Sequence, residues 1–191
     1  EGRDLSVTLE QGRLSISHPR VSWDDVWESV KALVGVRAKV ELSILMPRHV
    51  ALSLGQVSAS ALVSGLAARA TLSTVSGPLQ VESHRGDLDL NTVSGDVEVS
   101  GGAGRLAVNG VSASVTATGA LQEVGVDTVS GEVLLDVHGA PRSITVNTVS
   151  ADVTLRLDAD QGVRATTRTV SGRGRIVGRA VPKRGGTEVV E

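Results

Sequence analysis

The chain contains no cysteine, no phenylalanine, no tyrosine and a single methionine among 191 residues. Without cysteine there is no disulfide and no thiolate metal site, in a cytosolic or an exported protein alike. Without Phe or Tyr, the large fillers of an ordinary globular core are missing. The only aromatic residues are Trp23 and Trp27, four positions apart. Any interior must therefore be built from Val, Leu, Ile and Ala. That palette suits a thin interior of constant cross-section, in which every layer needs the same modest volume. No apolar run approaches the roughly 20 residues needed to span a bilayer as a helix. No secretory signal is visible, although the chain begins at Glu1 rather than Met, so this decides little about compartment. Net charge is −2 with both signs interspersed, and nothing in the composition points to nucleic acid.

What is present is a repeat. Thr74-Val75-Ser76-Gly77 recurs at Thr92 to Gly95 and Thr128 to Gly131, and Thr169-Val170-Ser171-Gly172 closes the series. Variants stand at Gly110-Val111-Ser112-Ala113 and Thr148-Val149-Ser150-Ala151, with a degenerate copy at Gln56-Val57-Ser58-Ala59. The serines fall at 58, 76, 94, 112, 130, 150 and 171, so the period is 18 residues until two small insertions lengthen it. Aligned copies give apolar columns. Leu79, Val97, Val115, Val133 and Val153 form one, with Val81, Val99, Ala117, Leu135 and Leu155 two positions on. Leu88, Leu106, Val124 and Ile144 form another, followed two positions on by Leu90, Val108, Val126 and Val146. Spacing of two is the signature of strands with one buried face. The valines of the repeated tetrapeptide, Val129 among them, are expected in the interior as a further column. Glycine opens both strands of a repeat, where a tight corner requires it. The insertions, at His138 to Pro141 and Asp158 to Gly162, fall between strands, where they are tolerated.

These features predict an all-β fold: a single-stranded β-solenoid of parallel, in-register rungs, about seven in number, over residues 54–178. In-register identity favours stacking of like on like, about 4.8 Å apart. An antiparallel sandwich or prism built from hairpins is the alternative. Asn91, Asn109, Asp127 and Asn147 would then form a side-chain ladder. Residues 1–53 lie outside the repeat and are expected to cap it. Leu5 to Leu9 and Leu14 to Ile16 alternate as strands, as do Val40, Leu42, Ile44 and Met46 up to Pro47. A helix is predicted over about 23–34, opened by the capping pair Ser22 and Asp25 and stopped at Gly35. Trp23 and Trp27 are read as cap packing rather than a grip on a partner. Residues 179–191 form a basic tail.

Catalytic chemistry finds no foothold. Hexapeptide acyltransferases need an aliphatic residue at every sixth position, and Asp87, Arg105, Glu123 and Pro141 break that rule systematically. Polysaccharide lyases and hydrolases on solenoids need clustered carboxylates. Asp87 with Asp89 and Asp96 with Glu98 are followed by Arg105, Ala107, Ser114 and Thr116 in the next repeat, so the acids do not accumulate. The serine column has no histidine at a constant offset to act as base; His18, His49, His84 and His138 are scattered. A corner role for the serines, with the hydroxyl satisfying a backbone group, is the better reading. Asp158-Ala159-Asp160 lacks the further oxygen ligands of a calcium loop, and Arg85-Gly86-Asp87 owes its glycine to the repeat. No metal and no cofactor is expected.

The reiterated Thr-Val-Ser-Gly-Asp-Val-x-Val pattern, seen in full at Thr92 to Val99, resembles a bacterial family of adhesin-like domains of otherwise unknown function, over roughly residues 37–178. The resemblance implies a β-solenoid-like fold without known catalysis or cofactor, and in some members an association with envelope-stress systems. The expectation is a noncatalytic binding or scaffold domain, not an enzyme, with a carbohydrate-active enzyme on the same scaffold as the alternative. Location leans to the bacterial cell envelope, or to the cytoplasm if no segment precedes Glu1. Partners are expected among proteins and envelope polymers. The basic C-terminal end is the one candidate contact: Arg164, Arg168, Arg173, Arg175, Arg179, Lys183 and Arg184, with no acid between Gln161 and Thr187. It would dock on an anionic surface or on the acidic end of another copy.

Overall fold

In the computed structural model, residues 6–10, 13–17, 43–158 and 163–178 are described. Two compact units divide the chain, Glu1–Ile44 and Leu45–Glu191. In the first, β1 (Ser6–Glu10) and β2 (Arg13–Ser17) pair antiparallel, with Ser6 opposite Ser17 and Glu10 opposite Arg13. The predicted helix over 23–34, with Trp23 and Trp27, lies outside the described residues, as does the tail over 179–191. The alternation at Val40 to Met46 does not make a strand where it can be seen. Ser43 to Pro47 are irregular, and the chain turns there, Val50 N donating to Pro47 O at 3.1 Å. Pro47 has no N–H to give to a ladder.

The second unit is a parallel β-solenoid of seven rungs. The first three rungs comprise β3 (Leu52–Ser58) with β4 (Ala61–Ser64), β5 (Ala70–Ser76) with β6 (Leu79–Glu82), and β7 (Leu88–Ser94) leading into β8 (Val97–Ser112). From β8 onward single long strands carry the chain around the corners: β9 (Val115–Val137), β10 (Ser143–Leu157), then β11 (Arg164–Ser171) and β12 (Gly174–Val177). Every pairing within this sheet is parallel and follows the sequence period, Ser58 beside Ser76, Ser76 beside Ser94, Ser112 beside Ser130, Ser130 beside Ser150 and Ser150 beside Ser171. The antiparallel sandwich is thereby excluded for these strands. Each rung has a first strand, the repeat corner, a second strand and a short third side before the next rung begins.

The core lies inside the coil and is made of the predicted columns. Leu79, Val97, Val115 and Val133 are between 0 and 1% exposed, and Leu90, Val108, Val126 and Val146 likewise. The insertion after β9 is tied to the next loop, with Asp158 accepting from Gly139 N at 2.9 Å and meeting His138 Nδ1 at 3.1 Å.

One expected column is not in the core. Val75, Val93, Val111, Val129 and Val149 are 39 to 48% exposed, and Val170 is 83% exposed. On four of these rungs the residue before the valine is inside instead: Thr74, Thr92, Thr128 and Thr148 are 5 to 6% exposed. The reason is the alternation itself. Leu88 and Leu90 point inward, so Thr92 does too and Val93 points out. The interior hydroxyls of Thr74 and Thr128 are satisfied locally, donating to the carbonyls of Ser76 and Ser130 at 3.2 Å, while that of Thr148 has no partner. A threonine at this place closes the corner from within, which a valine of the same shape could not do.

Two of the corner serines show the expected backbone role. Ser76 Oγ donates to Val57 O and Ser130 Oγ to Val111 O, each on the preceding rung, at 3.2 and 3.3 Å. Glycine follows because the rungs touch there. A Cβ on Gly131, whose φ is +131°, would stand 2.1 Å from the carbonyl oxygen of Ala113.

Candidate functional site

A site has to be sought on the outer surface, because the interior is filled with side chains. The first strands of the seven rungs form one continuous face. Its outward residues fall in three columns. Ser53, Thr71, Asp89, Ala107, Gly125, Thr145 and Thr166 make the first column, all small apart from the aspartate. Gly55, Ser73, Asn91, Asn109, Asp127, Asn147 and Arg168 make the second. The third is the valine ladder. The expected amide ladder is present: Asn109 Nδ2 donates to Asn91 Oδ1 at 3.1 Å, and Asn147 Nδ2 to Asp127 Oδ1 at 2.7 Å. Asp89 is within 3.6 Å of Arg69 Nε. Local partners thus hold both acids of this face, leaving a long apolar stripe edged by fixed amides.

The second strands form another face, with Asp96, Glu98, Glu132, Asp136 and Asp152 outward among Ser114, Thr116 and Thr154. A shallow groove of about 410 Å³ opens where this face meets the repeat corner, lined by Gly131, Glu132, Ser150, Ala151, Asp152, Ser171 and Gly172. Glu132 and Asp152 stand one above the other on adjacent rungs, and Asp152 Oδ1 already accepts from Arg173 N at 2.9 Å. No histidine or lysine lines it, so an acid–base pair with separated roles is not assembled there. Among the described residues, no three acidic or histidine side chains come together as metal ligands do.

The four described arginines of the basic end are all exposed. They share the last rung but not a face. Arg164 and Arg168 continue the first-strand side beside Ser143 and Asn147. Arg173 and Arg175 lie on the second-strand side, Arg175 beside Thr154. Arg179, Lys183 and Arg184 are outside the described residues. The strands of the first rung, Leu52–Ser58 and Ala61–Ser64, carry no charged side chain, so they offer no acidic counterpart to this end. Elsewhere charges pair along the axis: Arg69 lies 3.7 Å from Asp87 and Arg142 lies 4.0 Å from Glu123.

Among the described residues, the one buried ionisable group is on the short third side. His84 is 2% exposed, with Arg85 N bonded to Leu66 O beneath it and Ala103 N bonded to His84 O above. Its Nε2 meets Asp87 O at 3.3 Å, and its Nδ1 has no partner. Burial pushes its pKa below the ordinary imidazole value, outweighing the opposite pull of the Asp87 carbonyl and carboxylate. Its one hydrogen-bond partner is a backbone carbonyl, and it is read as a core residue. Its burial was not legible in the sequence, where it interrupts no column. The only signal was its place 18 residues after Leu66.

A family model described as Toastrack DUF4097 matches residues 2–177. No curated protein and no solved structure matches the chain.

Proposed function

The chain belongs to the Toastrack DUF4097 family, whose function is unknown, and on that premise we propose that it is a noncatalytic scaffold domain of the bacterial cell envelope, adhesin-like in presenting its outer faces to partners. The observation that carries this reading is the exposure of the repeated ladders. Six rungs expose the same valine, three of them with an asparagine and one with an aspartate beside it, and among the described residues no three acidic or histidine side chains gather on any rung. A repeated face binds by extent and regularity; an enzyme gathers a few unlike groups in one cleft. The arrangement of the arginines supports an end-on contact with an anionic membrane surface, since Arg164, Arg168, Arg173 and Arg175 surround the last rung and no acid lies among them.

The test has two arms. The full chain is sedimented with vesicles of phosphatidylglycerol or phosphatidylcholine, at low salt and at about 0.5 M, where screening shortens to a few ångströms. Binding to the anionic vesicles alone is expected. It should weaken with salt and disappear when Arg164, Arg168, Arg173 and Arg175 are replaced by serine. Equal binding by the variant, or capture only by an acidic cell-wall polymer, overturns the membrane contact. In the second arm, incubation with a panel of polysaccharides should release no reducing ends or unsaturated products. Their release would make the chain an enzyme.

A further inference from the structure

The first-strand face is self-complementary when two copies are laid face to face in opposite directions, and we propose that the chain forms a two-fold symmetric dimer through it, valine ladder against valine ladder. This rests on the reading of the domain as a scaffold and identifies the occupant of one of its faces as a second copy.

The argument begins with spacing. A column of β-branched side chains repeating at the rung separation matches a column with the same repeat rung for rung, so the two stay in step along the whole face, as in the dry contacts between stacked sheets. Another copy of this chain presents such a column. Valine brings little side-chain entropy to the contact, because its χ1 is already restricted.

Size and charge then select the direction. With the two-fold axis along the first strand of the middle rung, Leu106 to Ser112, each rung faces the rung equally distant on the other side of the axis. Val111 meets Val111, Val93 meets Val129 and Val75 meets Val149. In the amide column Asn91 faces Asp127 of the second copy. Asn91 Oδ1 is occupied by Asn109, which leaves its Nδ2 to donate, and Asp127 has one oxygen beyond that used by Asn147. Asp89 falls opposite Gly125, and a Cβ on Gly125 would meet nothing within 4 Å. Arg168, the longest side chain of the face, falls opposite Gly55 on a rung with no charge. Laid in the same direction, with the two-fold axis along the coil, the copies would instead set Arg168 against Arg168 and Asp127 against Asp127, and would put Asp89 on Val93 in place of valine on valine. The opposed arrangement places each bulky or charged group on a small or complementary one.

The area suffices. Seven strands about 4.8 Å apart, each with three outward residues at about 3.3 Å rise per residue, give a face of about 600 Å². Two such faces bury about 1,200 Å², the lower end of the range for specific interfaces.

Cysteine is absent from the chain, so single cysteines report the geometry without background. Three variants of the full chain, Val75→Cys, Val111→Cys and Val149→Cys, are treated with a short bismaleimide that spans the ~10 Å between packed sheets. Val111→Cys should cross-link to itself. Val75→Cys and Val149→Cys should cross-link when mixed and not when alone. Val111→Asp, which brings two like charges together on the axis, should convert a species of twice the chain mass in sedimentation equilibrium to the monomer, with an unchanged circular dichroism spectrum because Val111 is exposed. Self-linking of Val75→Cys, or a monomer at all concentrations up to about 100 µM with no cross-link at 111, overturns the dimer. Should that monomer still bind anionic vesicles, the scaffold reading survives the loss of the dimer.

Discussion

Two valines three positions apart show how strongly a single side chain's fate depends on which way it points. Val126 is 0% exposed and Val129 is 46% exposed, on the same strand. Val126→Ala should cost about 1–3 kcal/mol, from lost transfer free energy and the cavity left in a close-packed rung. Val129→Asp should cost less than about 1 kcal/mol in the monomer, since its carboxylate stays in water. Urea denaturation at low protein concentration checks both, and a large loss at 129 would mean that the ladder is buried after all. His84 adds a dependence on pH. Its folded pKa lies below the unfolded one, so just below the unfolded value of about 6.5 the unfolded chain binds a proton that the folded chain refuses. Stability therefore falls as the pH drops below about 6.5, and this contribution is fully lost only below the folded pKa. His84→Leu, which matches Leu66 in the same column, should hold its melting temperature better between pH 7 and 5 than the unsubstituted chain. Parallel curves for the two proteins would remove His84 as the cause.

At the scale of the element, the repeat corner sets the shape of the rung. The second strand can leave the first only by passing within contact distance of the rung before it. Gly131 sits at φ +131° with no room for a Cβ beside Ala113 O, whereas Gly125, in mid-strand, has open space and no unusual φ. Gly131→Ala should destabilise by more than about 1 kcal/mol through strain and a forced backbone shift. Gly125→Ala should be neutral or stabilising by about 0.5–1 kcal/mol, because glycine weakens a strand interior. Thermal melts of the two variants separate the cases; equal effects would mean that the corner has slack the geometry does not show. Alanine at Ala113 and Ala151 is consistent with this account. Neither has a positive φ, and the glycines that follow them in the column, Gly131 and Gly172, both do.

At the scale of the whole molecule, stacking separates charge by position along the axis and not by face alone. The first rung carries none on its strands, the middle rungs pair Arg69 with Asp87 and Arg142 with Glu123, and the last rung has arginines only. The middle pairs are exposed and hold their partners weakly, by less than about 1 kcal/mol. The arginines at this end, which pair with no acid among the described residues, are what a negatively charged surface would meet first. Repulsion among them would also discourage a further strand from adding to that edge. The salt dependence expected of vesicle binding belongs to this scale, because it comes from the whole end of the coil and no one arginine.

The sequence by itself determined the period, the strand columns at Leu79 to Val153 and Leu90 to Val146 and the place of the loop at His138, because each depends only on spacing and alternation; it favoured parallel stacking, and the pairing of the rungs decided it. It also contained the orientation of the tetrapeptide, since inward residues at 88 and 90 require one at 92. The repeated valine drew attention as core material because burial and regularity usually go together. The tertiary structure decided what spacing cannot express. Closing the coil drew His84 into the interior through a third side too short to show alternation. It also spread Arg164, Arg168, Arg173 and Arg175 over two faces of one rung. The physical reason is that a strand's alternation fixes relative sides, while the corners, set by close approach between rungs, fix which side is in.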